Sequence, residues 1–180
     1  NLLLEQVNLK DKKIALKYMD SEISFAELWE MVKVIAGNLS PLIKNNIGIQ
    51  NSYVAILLDK GPRAIAAMIA VISCGAAYFP IDRRAPDLKI ENIFNDISFA
   101  AIITDSSNIK RLNKICLVLP SLNLDDRLIK HTNIKICDAI DKCAVILQTS
   151  GTSTKPNYVQ VKNQSIVRLV KNTNYLSFKQ

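Results

Sequence analysis

The sequence predicts an α/β protein with a mostly parallel sheet flanked by helices, and three observations predict it. Short runs rich in β-favouring side chains and almost free of charge recur at residues 53–58, 76–82, 100–104 and 143–147. Between and around them lie stretches with helical spacing of apolar residues, at 25–39, 64–73 and 88–96. That alternation builds parallel strands joined by right-handed helical crossovers. Finally, 180 residues with 49% hydrophobic and 22% charged content suffice for one domain with a real core. No internal repeat or low-complexity linker interrupts it.

Residues 14–19 and the restart at Ile23 predict two strands, with a turn at Asp20, Ser21 and Glu22. Ser24 is an N-cap, and Glu27 three residues on completes a capping-box spacing. The helix that follows carries Leu28, Met31, Val32, Ile35, Ala36 and Leu39 on one face. After the strand at 53–58, Pro62 suits a first helical turn and Gly75 suits a C-cap. The helix between them is apolar enough to be packed on most of its circumference. Residues 64–81 form an 18-residue stretch without a charge, the lower limit for a membrane span. Gly75 and Pro80 break it, so a helix followed by a strand accounts for it better, and no membrane span is expected.

Pro86 opens an amphipathic segment at 88–96, and 100–104 is another apolar strand. A polar segment at 109–113 is read as helical, and 115–119 as a strand closed by Pro120. Residues 121–141 read as a polar connection. Its Asp125 and Asp126 suggest a solvated turn more than acid–base or metal chemistry, because no third ligand lies nearby. Residues 158–161 alternate as a strand, and 164–172 read as a helix.

The net charge of +7 is spread over scattered lysines with no interleaved aromatic stripe, so a solvated surface is expected rather than a nucleic-acid site. Cys74, Cys116, Cys137 and Cys143 have neither a C-x-x-C pair nor zinc spacing; all but Cys137 lie in apolar runs, as small buried thiols do. No signal-peptide pattern opens the sequence, and a reducing cytoplasm is the expected setting. His131, the single histidine, has no evident partner, and no metal site is predicted.

The stretch that bears on chemistry is 143–156. An apolar run, Ala144 to Leu147, stops abruptly in Gln148, Thr149, Ser150, Gly151, Thr152, Ser153 and Thr154, followed by Lys155 and Pro156. Such a strand puts small donors at the carboxyl edge of the sheet, where ligands of open α/β sheets bind. Five hydroxyls and the backbone amides around Gly151 are suited to wrap a polyphosphate, with Lys155 adding a point charge. On spacing alone, a polar surface loop stays an alternative.

This stretch resembles the phosphate loop of the adenylate-forming (AMP-binding) superfamily, Y-T-S-G-[ST]-T-G-x-P-K-G. Thr149, Ser150, Gly151, Thr152, Lys155 and Pro156 fall in register with it. Gln148, Thr154, Asn157 and Tyr158 depart from it, standing where the pattern has tyrosine, glycine, lysine and glycine. Two further blocks resemble the family in order: Ser24-Phe25-Ala26-Glu27-Leu28 matches its [ST]-[YF]-x-E-L element, and residues 75–82 are close to its G-A-A-Y-x-P-[IL]-D block. The second block also serves as plain scaffold. The segment 166–175 is similar to that after the loop in bacterial nonribosomal peptide synthetases, although Asn163 stands where the family often has histidine.

The resemblance implies that residues 1–180 are the N-terminal part of an adenylation domain, with the C-terminal remainder and lid subdomain outside the sequence. Its fold would be the start of the family's large N-terminal subdomain. The whole domain would join an amino acid to ATP with Mg²⁺, release pyrophosphate, and load the aminoacyl group onto the phosphopantetheine thiol of a carrier protein. Condensation domains would be further partners. Thr149, Ser150, Gly151, Thr152, Ser153, Thr154 and Lys155 would hold the phosphates; no catalytic residue is assigned, and the piece alone is expected to be inactive. Two alternatives stay open: a degenerate, non-catalytic adenylation-like module with a structural or interaction role, and a fragment of an acyl- or aryl-CoA ligase.

Overall fold

The computed structural model describes residues 2–44, 52–115, 119–131, 133–137, 140–149 and 156–170. The chain opens with helix α1 (Leu2–Lys10), which the sequence reading did not anticipate. Leu3, Leu4 and Val7 pack it against the core, while Leu9 points to solvent. An antiparallel hairpin follows, β1 (Ile14–Tyr18) with β2 (Ser21–Ser24). Its reversal takes Met19 and Asp20, because Ser21 already pairs with Tyr18; the turn expected at 20–22 lies one residue earlier.

Ser24 and Glu27 form the predicted capping box at the head of α2 (Phe25–Lys44). Glu27 Oε2 accepts from Ser24 N at 2.8 Å, and Glu27 N donates to Ser24 Oγ at 3.2 Å. The predicted face is buried, Met31 only partly, and Trp29 joins it. Next come β3 (Tyr53–Ile56), α3 (Pro62–Ser73), β4 (Ala77–Pro80), α4 (Asp87–Asp96) and β5 (Ala101–Thr104). The uncharged stretch at 64–81 therefore divides into α3, a turn and β4. Among the described residues no helix is long and apolar enough to cross a membrane.

The turn needs Gly75. Its φ is +77°, and an added Cβ would stand 2.8 Å from Cys137 Sγ. Cys74 and Cys137 are half-buried, as is Cys143, while Cys116 lies outside the described residues. Burial, tempered by the charge of Lys44 and reinforced by Cys137, pushes the Cys74 thiol up to about 11, so it is inert at neutral pH.

Asp105 caps α5 (Ser106–Lys114), accepting from Asn108 N at 3.0 Å. The strand expected at 115–119 lies mostly outside the described residues, and its described ends, Ile115 and Leu119, are not in a strand. Ile115 closes α5, residues 116–118 lie outside the described part, and β6 (Ser121–Asn123) instead falls in the expected polar connection. Parallel pairing with β5, Ile102↔Ser121 to Thr104↔Asn123, makes those three residues a strand despite their polarity. The chain then forms β7 (Cys143–Thr149), β8 (Asn157–Lys162) and α6 (Asn163–Val170).

The main sheet has the order β6-β5-β3-β4-β7-β8, parallel throughout except for β8, which runs antiparallel to β7. Strand residues alternate between its faces. Val54, Ile56, Ala101 and Ile103 meet the layer of α1, α2 and α3. Ala55, Leu57, Phe79, Ile102 and Ile146 meet α4 and α5. The result is the expected α/β sandwich with helices on both faces of a mostly parallel sheet.

Candidate functional site

The site begins where β7 ends. Register pairs Gln148 with Tyr158 and Thr149 with Asn157, so the connection between β7 and β8 leaves and re-enters the sheet at its carboxyl edge. Thr149 is exposed, and its hydroxyl donates to the Asn157 carbonyl only over a long 3.4 Å. Among the described residues that hydroxyl has no shorter bond. Of the predicted phosphate-binding residues, only Thr149 is described; Ser150, Gly151, Thr152, Ser153, Thr154 and Lys155 lie outside the described residues.

Beside this edge the sheet has a topological switch point. From β3 the chain crosses through α3 to β4 on one side, then through α4 to β5 on the other. Ligands of open α/β sheets bind in the crevice such a reversal creates. A cavity of about 360 Å³ occupies it, floored by Ile56, Leu58, Met68 and Pro80 and rimmed by Lys60 and Arg84.

The rim is rigid. Arg83 pairs with Asp59, and its guanidinium also reaches Ser107 Oγ at 3.4 Å. Arg111, from α5, donates to Asp87 Oδ1 at 2.5 Å, to the Arg83 carbonyl at 2.6 Å and to the Ala85 carbonyl. One guanidinium thus holds the turn between β4 and α4. Nothing in the sequence marks Arg111 for that task, because its partners lie in another element. Burial works against an ionised Asp105, but hydrogen bonds from Ser107 and Asn108 and the charge of Arg83 outweigh it and hold the carboxyl below the usual range.

The other sequence candidates resolve as structure. Asp125 sits in a turn, accepting from Ser106 N at 2.8 Å and Arg63 Nη2 at 2.7 Å. The backbone bond from Ser106, then the Arg63 contact, hold its carboxyl below the usual range. Asp126 accepts from Asn123 Nδ2 at 2.8 Å. The turn expected there is present, but it is tied to α3 and α5 rather than merely solvated. His131 packs its ring directly on Gly37 of α2. Among the described residues no group of three His, Cys, Asp or Glu is arranged to hold a metal.

An α/β sheet whose carboxyl edge carries a switch-point crevice and a hydroxyl-bearing hairpin defines the class, and comparison gives the family: the chain belongs to the AMP-binding enzymes, whose family profile matches residues 3–180. It is similar to gramicidin S synthase 2 of Brevibacillus brevis, 26% identical over 184 residues that cover 99% of this chain and 4% of that protein. It is also similar to malpibaldin synthetase of Mortierella alpina, 31% identical over 180 residues, covering 97% of this chain and 3% of that protein. The chain thus spans only 3% to 4% of the length of these relatives. Its fold matches O-succinylbenzoate coenzyme A synthetase (MenE) from Bacillus subtilis, solved with ATP and magnesium. The TM-score is 0.73 at 23% identity, over 90% of this chain and 43% of that one.

Proposed function

We propose that the chain is the N-terminal part of an amino-acid-activating adenylation domain of a nonribosomal peptide synthetase, occupying residues 1–180. In the whole domain an amino-acid carboxylate oxygen attacks the α-phosphorus of ATP. The bond to the β,γ-diphosphate breaks, and pyrophosphate leaves with its electron pair. A carrier-protein phosphopantetheine thiol then takes the aminoacyl group and AMP departs. ATP, Mg²⁺, carrier and condensation domains are the partners of this reading, and the cytoplasm its setting. The observation that carries it is the family match across residues 3–180 together with the similarity to gramicidin S synthase 2 over 99% of the chain.

Within this piece, Thr149, Ser150, Gly151, Thr152, Ser153, Thr154 and Lys155 hold the β- and γ-phosphates. The exposed Thr149 hydroxyl at the carboxyl edge fits that role, because among the described residues only a long hydrogen bond competes for it. Bound Mg²⁺ would neutralise phosphate charge. A second reading, a non-catalytic module, is favoured by one observation: Tyr158, where the family pattern has glycine, is occupied in packing and hydrogen bonding.

Calorimetric titration of MgATP, and separately of inorganic tripolyphosphate, tests the reading on the native chain and on Thr154→Gly/Asn157→Lys. Tripolyphosphate needs only the loop, so both proteins should bind it, the repaired one more tightly. Absence of tripolyphosphate binding by both, with the fold intact, sinks the phosphate-loop assignment and leaves the non-catalytic module.

A further inference from the structure

Tyr158 joins three parts of the molecule. It lies directly opposite Gln148 in the antiparallel register, so the two side chains share a face of the β7–β8 hairpin. Its ring meets Phe79 of β4 edge-on, with centroids 6.0 Å apart at 60°, and Phe79 in turn meets Phe99 at 5.7 Å. Its hydroxyl donates to Asp96 Oδ2 at 2.8 Å. Asp96 is the last residue of α4, where a carboxylate opposes the helix dipole. A residue placed there against its own helix has its use elsewhere, as the acceptor for Tyr158.

The hairpin needs such a tie. β7 is registered with β4 at a single pair, Tyr78↔Val145, whereas β3 and β4 share four pairs from Tyr53↔Ala77 to Ile56↔Pro80. β8 is the outermost strand. Counted on from Tyr78↔Val145, β4 ends at Pro80 opposite Leu147, so Gln148 and Thr149 run past its last residue. A second side-chain bond, Gln160 Nε2 to Tyr53 Oη at 3.1 Å, acts in the same direction further along β8.

The family pattern quoted above has tyrosine at position 148 and glycine at 158; this chain has glutamine and tyrosine. We infer that Tyr158 takes, from across the hairpin, the place on this face that the pattern gives to residue 148. Tyr158, held by Asp96 and Phe79, is a positioning residue that sets Thr149 and Asn157, the two strand ends flanking the phosphate loop. The inference rests on the phosphate-loop reading for its functional meaning but not for its geometry. Gln148, opposite Tyr158 in the register, is the position from which a tyrosine would recover the same face.

Amide hydrogen exchange on the full chain tests it, with Tyr158→Phe, Asp96→Asn, Tyr158→Gly and Tyr158→Gly/Gln148→Tyr. Tyr158→Phe should speed exchange at residues 148–149 and 157–160 about fivefold, the scale of one lost hydrogen bond, while β3 and β5 amides stay unchanged. Asp96→Asn should act at the same amides, and Gln148→Tyr should restore protection lost in Tyr158→Gly. Uniform acceleration across the sheet would mean a merely structural residue and overturn the proposal, as would an unaltered hairpin. Failure of Gln148→Tyr to rescue would overturn the exchange of roles. MgATP titration of the same variants gives the functional arm. If the native chain binds no phosphate, the phosphate-loop reading falls while the exchange data still decide the positioning.

Discussion

The centre of the sheet and its β7–β8 end are built from similar residues and packed very differently. Val54, Ala55, Ile56 and Leu57 are between 0% and 2% exposed, and every residue of β5 is buried. At the other end Leu147 is 43% exposed and Val159, its cross-strand partner, 46%; α6 has no buried residue. β-Propensity is comparable in the two regions, so it does not set burial. What differs is the number of covering layers. The centre lies between α2 and α3 on one face and α4 and α5 on the other, whereas the hairpin is covered on the face of Ile146 and Tyr158 and open on that of Leu147 and Val159. The strand ends that flank the segment with the clearest chemical signature thus stand where the packing is thin, as binding segments commonly do.

Truncation should expose the contrast most strongly. Ile103 is 0% exposed, so Ile103→Ala should cost about 2–5 kcal/mol, read from urea unfolding followed by circular dichroism. Val159→Ala should stay within about 0.5 kcal/mol. Similar losses at the two positions would mean that the hairpin's open face is covered after all, and the comparison would fail.

The centre was also the more legible region in the sequence, because its signals are local. Ser24 and Glu27 lie three residues apart, Pro62 and Gly75 bracket one helix, and the apolar strands announce themselves. Features fixed by distant partners were not legible. β6 exists through its pairing with β5, and α1 through its packing against the α2 layer rather than through a strong apolar stripe. Of the candidate site, the strand that delivers Thr149 could be read directly. The tie from Tyr158 to Asp96 could not, since 62 residues separate the partners and Tyr158 stood out only as a departure from the family pattern.

A smaller effect probes how tightly the central layers fit. A methyl group on Gly37 would occupy the place of the His131 ring, so Gly37→Ala must drive that ring out of its seat on α2. Overpacking of this kind typically costs about 1–3 kcal/mol. His131→Ala should be milder, because it removes a half-buried side chain from an open groove. The double variant should regain much of the loss, giving a non-additive cycle in thermal unfolding. Additive losses would show that the ring does not rest on Gly37. No such clash is expected at the exposed Leu147 and Val159 positions, which sharpens the contrast between the regions.

The smallest effect separates the regions by the sign of their pH dependence. At the centre's carboxyl edge, Asp105 and Asp125 have carboxyls held below the ordinary value of 3.8. A depressed acid contributes stability above its unfolded pKa and loses it as pH falls through the folded one, so these ties should weaken below about pH 4. At the hairpin the order reverses. Burial first, then the hydrogen bond to Asp96 and its charge, push the Tyr158 phenol up to about 12. Protons then bind the folded state more tightly, so the contribution is intact below the ordinary phenol value of about 10 and is lost as pH rises toward 12. Hydrogen exchange, corrected for intrinsic rates at each pH, should therefore show the start of α5 loosening first in acid and residues 157–160 loosening first in alkali. Asp125→Asn should flatten the acid limb and Tyr158→Phe the alkaline one. If Tyr158→Phe left the alkaline limb unchanged, the phenol would not be what holds the hairpin, and the Asp96 bond would carry no part of the difference between the two regions.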